Sequence, residues 1–128
     1  PTYSDWNHFS FCHFCGPLLE GNKGKHFKSA VAIKPGKIDR SPTGTALSAK
    51  MAILHKHGKI GIGDKLTAIS IIDSEFTGQI LGITKVGNMD AILPEISGRA
   101  WITGTHQHML DPSDPWPGGY RISDTWGV

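Results

Sequence analysis

The chain has 128 residues, with 13 Lys and Arg against 11 Asp and Glu and 38% apolar content, enough for one packed core and too little charge for an extended disordered segment. A net charge of +2, with no cluster of Lys and Arg on one predicted element, excludes the basic stripe that a phosphate backbone needs, so nucleic acid is not an expected partner. No apolar run reaches the length of a membrane span, and Pro1-Thr2-Tyr3-Ser4-Asp5-Trp6 lacks the order of a signal peptide, which predicts a soluble cytoplasmic protein without a membrane partner.

The aromatic run that follows Pro1 within ten residues reads as the middle of a fold, so the chain is expected to be a fragment. His8 to Phe14 reads as a strand. Cys12 lies in it and Cys15 directly follows it, and their C-x-x-C spacing invites a zinc or redox reading. No second ligand pair follows at a matching spacing, and Gly16-Pro17 stops any helix that a redox motif would open, so both are expected as small apolar residues on a half-buried strand. Gly16 to Lys25 reads as a loop, Phe27 to Ile33 as a second strand, and Pro35-Gly36 as a turn.

Ser41-Pro42 predicts a helix start, with a hydroxyl to cap a free N–H and a proline at the first helical position; Thr43 and Thr45 are alternative caps. From Ala46 to Leu54 the segment is apolar on most of its circumference, which predicts a buried helix. His55-Lys56-His57 suits the negative end of the helix dipole and Gly58 ends it, giving a helix from about Pro42 to His57. The free N–H groups of Gly44, Thr45 and Ala46 either receive an anion such as a carboxylate or simply begin a helix that binds nothing. Beyond it, Lys65 to Ile72, Phe76 to Ile83 and Ile96 to Thr103 read as strands of an antiparallel sheet. His106 and His108 fall on one face of a predicted strand with Asp111 nearby, a conceivable metal site. Asp111 to Gly119 reads as an ordered Pro-rich turn anchored by Trp116.

The run Asp39-Arg40-Ser41-Pro42-Thr43-Gly44-Thr45-Ala46-Leu47-Ser48-Ala49-Lys50-Met51-Ala52 closely resembles the second catalytic motif of the proline racemase family, which includes hydroxyproline epimerases and trans-3-hydroxy-L-proline dehydratases. The resemblance continues through Gly58, Gly63-Asp64, Ile71 to Gly78, Ile96 to Gly104 and Asp111 to Pro115. It implies an α+β fold, one half of a diaminopimelate epimerase-like or proline racemase-like structure, with a mixed, mostly antiparallel sheet wrapped around a central buried helix. Residues 1–105 would form the second racemase-type domain, incomplete at its start, and 106–128 a segment returning to a first domain. The expected partners are a small-molecule substrate, proline or hydroxyproline, and either the first domain or a second copy. Neither a cofactor nor a metal is implied.

By the same resemblance Asp39 binds the ring amine, while Gly44 and Thr45 hold the substrate carboxylate through backbone N–H groups. Read without it, Asp39 is a loop carboxylate that pairs with Arg40 or caps the turn. Ile33 is a wall of the pocket or a plain core residue. Two-base members of the family carry a catalytic Cys in each half. Neither Cys12 nor Cys15 has the context of the first, and Thr43 stands in place of the second, as in the dehydratases. A thiol with a pKa of about 8.5 exchanges protons near neutral pH, whereas an aliphatic hydroxyl is far too weak an acid to be a second base. Elimination needs one base only. The expectation is a hydro-lyase acting on trans-3-hydroxy-L-proline, inactive as this chain alone. The rival readings are a racemase or epimerase, and a non-catalytic half that binds an amino acid or a partner. Two positions depart from the common pattern: Ala46 stands where many members have Gly, and Asp73 where Gly often precedes Ser74.

Overall fold

Alternation of apolar and polar residues, broken by Gly and Pro, sets most of the strands. The computed structural model describes residues 9–22 and 24–120. In chain order they form β1 (Phe11–Cys15), β2 (Leu19–Gly21), β3 (Gly24–Ile33), β4 (Lys37–Ile38), α1 (Gly44–Lys56), β5 (Lys65–Ile69), β6 (Glu75–Val86) and β7 (Met89–Gly98). The architecture is α+β, a single helix on a mixed, mostly antiparallel sheet. The main strand order is β1-β3-β5-β6-β7, with β2 and β4 also paired to β3. Pro1 to His8, and the part of the predicted return segment beyond Tyr120, lie outside the described residues.

The strand pair on either side of the helix is parallel: His26, Phe27 and Lys28 of β3 face Thr67, Ala68 and Ile69 of β5. Two parallel strands need a crossover to bring the chain back to the same end of the sheet, and α1 is that crossover. Leu47, Met51 and Leu54, spaced along one helix face, meet Phe27, Ile60, Leu66, Ala68 and Ile80 in the core. Phe76, Ile92 and Ile96 pack around its edge. Gly78, buried in β6, leaves the room that Met51 fills: a Cβ there would lie 2.6 Å from Met51 Sδ.

Several expectations are corrected. The described residues cover one face of α1 rather than its whole circumference, and Ile53 stays 54% exposed. The predicted loop from Gly16 to Lys25 contains β2, which pairs Leu19 with His26 and Gly21 with Gly24. β5 stops at Ile69, and β6 runs on to Val86. β7 begins at Met89, not at Ile96, because Gly87-Asn88 turns the chain and Gly87 takes a φ of 59°. Pro94, which argues against a strand, is tolerated because β7 is the last strand in the order and Pro94 pairs at the irregularity next to Ile80. Residues 99–120 carry no strand or helix, so His106 and His108 are not on a strand. Trp116 remains 58% exposed and meets Tyr120 edge-on at 5.8 Å, so it is not buried as an anchor.

Candidate functional site

The site begins where β4 ends. Ile38 pairs with Ala32, and the Asp39 N–H donates to the Val31 carbonyl at 2.9 Å, so Asp39 leaves the sheet at a fixed place. Its two oxygens then organise the next four residues. Oδ1 accepts the Ser41 N–H at 2.9 Å, and Oδ2 accepts the Thr43 hydroxyl at 2.5 Å. Ser41 Oγ in turn accepts the Thr43 N–H at 3.1 Å. These local bonds displace the predicted cap. Ser41 and Pro42 precede the helix, Pro42 is buried, and Thr43 is the N-cap without a side-chain bond to the helix. Thr43 has φ 62° and ψ 107°, a conformation that β-branched residues rarely adopt.

The Thr43 hydroxyl, then the Ser41 N–H, holds the Asp39 carboxyl below its usual range, with a smaller contribution from the Arg40 charge. Asp39 is therefore a carboxylate near neutral pH, bonded to Ser41 and Thr43 instead of capturing the Arg40 guanidinium. With the Thr43 proton directed at Asp39, the lone pairs of Oγ1 remain to accept from another group. The first helical turn carries no acidic residue and receives no side-chain cap. Its N–H groups at Gly44, Thr45 and Ala46 are the open positive end of the helix dipole. Packing does not require the bareness of Gly44, whose added Cβ would make ordinary contact with Ile96 at 3.7 Å.

A second set of hydroxyls braces this loop from the β5–β6 turn. Ser70, fully buried, bonds Ser74 at 2.7 Å, and Ser74 Oγ donates to the Arg40 carbonyl at 3.2 Å. Ser70 Oγ also accepts the N–H groups of Ile72 and Ser74. Asp73 closes the turn at φ 63°, which explains how a position suited to Gly accepts Asp, one of the residues that tolerates this region. Sequence reasoning overlooked Ser41 as a partner of Thr43, and Ser70 and Ser74 as supports; the signal was the density of Ser, Thr and Asp at two- and four-residue spacings.

The other candidates lie apart from this loop. Cys12 and Cys15 are exposed, not half-buried, and three residues apart on β1 they point to opposite faces of the sheet. Cys15 Sγ lies 3.3 Å from His13 Nε2, which also meets Ser29 Oγ at 2.8 Å. Burial raises the Cys15 thiol and lowers the His13 imidazole from their ordinary values. The His106 and His108 rings stack at 6.3 Å. Among the described residues no three His, Cys, Asp or Glu side chains are placed to share a metal. Ile33 ends β3 half-buried, paired with Phe11 and Lys37. A groove of about 710 Å³ lies between the C-terminal end of α1 and the β6–β7 hairpin, lined by Ile53, Lys56, Ile83, Met89 and Ile92 among others. It does not reach Asp39 or Thr43. No helix among the described residues is long and apolar enough to cross a membrane.

Comparison with known proteins adds an independent finding. The family model described as proline racemase matches residues 1–121. Among solved structures, a hydroxyproline epimerase from Agrobacterium vitis with bound trans-4-hydroxy-L-proline is similar at 38% identity and a TM-score of 0.66, covering 93% of this chain and 33% of that one. A probable proline racemase from Agrobacterium radiobacter K84 with bound carbonate is similar at 37% identity and 0.66, covering 93% and 34%. The chain thus spans about a third of the length of these proteins.

Proposed function

Because the chain belongs to the proline racemase family, we propose that it supplies one half of the cleft of a cofactor-independent enzyme that dehydrates trans-3-hydroxy-L-proline. In this reading a facing half, outside these 128 residues, supplies the single base. That base takes the Cα proton, the electron pair forms the C2–C3 double bond as the C3–O bond breaks, and the captured proton passes to the departing hydroxide, which leaves as water from the same face of the ring. The enamine then gains a proton at C3, loses one from nitrogen and becomes the imine, pyrroline-2-carboxylate. Asp39 receives the ring ammonium, and the N–H groups of Gly44 and Thr45 receive the carboxylate at the positive end of α1. Thr43, on the opposite face of the ring, holds a water by hydrogen bond.

The observation that carries the reading is Thr43 at the N-cap, beside the carboxylate and the open helical N–H groups. An alcohol at that point can bond to a water but cannot exchange protons as a thiol does. The second reading, racemisation or epimerisation, draws on the 38% identity to a hydroxyproline epimerase. It requires a second base that Thr43 is not.

The test offers trans-3-hydroxy-L-proline, trans-4-hydroxy-L-proline and L-proline to the full-length protein that carries this sequence. Dehydration of the first without inversion of the other two is expected. Replacing Thr43→Cys should introduce inversion, since a correctly placed acid–base group contributes about 10²- to 10⁴-fold. Epimerisation of trans-4-hydroxy-L-proline with Thr43 intact would overturn the dehydratase reading and favour the second.

A further inference from the structure

Thr43 occupies a backbone conformation that its own side chain disfavours, at φ 62° and ψ 107°. Such a conformation persists where the surroundings over-determine it. Two groups restrain Thr43: the Asp39 carboxylate accepts its hydroxyl, and Ser41 Oγ accepts its backbone N–H. The first restraint changes when a substrate ammonium competes for Asp39. The second involves a side chain to which no contact with substrate is assigned above, so an ammonium at Asp39 does not compete for it.

We propose that Ser41 is a positioning residue: by accepting the Thr43 N–H it fixes the Pro42–Thr43 peptide plane, the base from which the Thr43 hydroxyl projects, while Asp39 is engaged by substrate. The proposal rests on the role given above to Thr43. A serine or threonine oxygen satisfies this geometry; an alanine leaves the N–H without its acceptor and frees the turn.

Two measurements decide it. In the full-length protein, Ser41→Ala should lower kcat on trans-3-hydroxy-L-proline about five- to tenfold, the size of one neutral hydrogen bond, with KM changed less than about twofold. Ser41→Thr should restore most of the rate. A fall in the amount of folded protein with unchanged kcat per site, or no rescue by Ser41→Thr, overturns the proposal.

The second measurement follows the Asp39 carboxyl carbon by NMR during acid titration. The groups around that carboxylate are Thr43, Ser41 and the Arg40 charge. The Ser41 hydroxyl also lowers the Asp39 pKa directly, so Thr43→Val and Ser41→Ala should each raise it, and positioning through Thr43 appears as coupling: Ser41→Ala should raise it more in the parent than in the Thr43→Val background. Strictly additive shifts would mean that Ser41 acts on Asp39 only through its own hydroxyl and not through Thr43, against the proposal. This arm needs no turnover, so it decides the role of Ser41 toward Thr43 even if the dehydratase reading fails.

Discussion

At the scale of single residues, Asp39 is the centre of the site because its two oxygens face different ways along the chain. One closes a turn on Ser41 and the other holds the Thr43 hydroxyl. This gives the folded protein a definite acid response. The folded carboxyl lies below its ordinary value of 3.8, so between the two values the unfolded chain binds more protons than the folded one. The stabilisation is complete above the unfolded value and is lost as pH falls through the folded value. Thr43→Val removes the largest cause of the shift. The stability gap between the parent and this variant, read from urea midpoints from pH 6 down to pH 2, should therefore narrow as Asp39 protonates. A gap independent of pH would show that the hydroxyl does not stabilise the charge. The family motif singled out Asp39, Thr43, Gly44 and Thr45, which the structure places side by side at the start of α1, whereas the bonding of Ser41 was not legible. Ser-Pro reads as cap and first helical residue, but an aspartate two residues upstream offers the backbone a competing turn, and the helix starts later.

At the scale of elements, the helix depends on strands that come close to it. Gly78 lies under Met51, and a Cβ there would fall 2.6 Å from Sδ and 2.7 Å from Cε, with Ile96 Cδ1 at 3.3 Å. Met51 is flexible, yet it is fully buried and has little space to yield. Gly78→Ala should destabilise the fold by about 1–3 kcal/mol, the range for overpacking a filled core. Gly61→Ala serves as the control, because nothing lies within 4 Å of its added Cβ and its φ is not positive. It should change stability by less than about 0.5 kcal/mol in the same denaturant titration. Equal effects at the two glycines would refute the packing argument. The C-terminal end of α1 was legible to within a residue: Gly58 takes φ 66° and its N–H bonds the His55 carbonyl, as a glycine just past a helix does. β7 was expected from Ile96 and begins at Met89; Pro94 within it is accommodated because the strand lies at the edge of the sheet. The parallel pairing of β3 with β5 was missed as well. Strand periodicity carries no direction; only the intervening helix implied it.

At the scale of the whole molecule, the sheet, the crossover helix and the Asp39–Thr45 loop form one unit in which β3 fixes the loop's start, β5 and β6 brace it through Ser70 and Ser74, and α1 presents its N–H groups beside it. The fold class followed from the family motif and the helix between strands, and 37–38% identity to two solved structures over 93% of this chain places it in the same fold. Chemistry at this scale turns on how many groups can move a proton at Cα. The most direct measurement is incubation of L-proline in D₂O with the full-length protein, with deuterium at Cα and the two enantiomers of proline measured together. One base that removes and returns the proton on the same face predicts that any deuterium appears in L-proline alone, with no D-proline. Deuterated D-proline formed by the unmodified Thr43 protein would contradict the account, because a second base would then act on the opposite face.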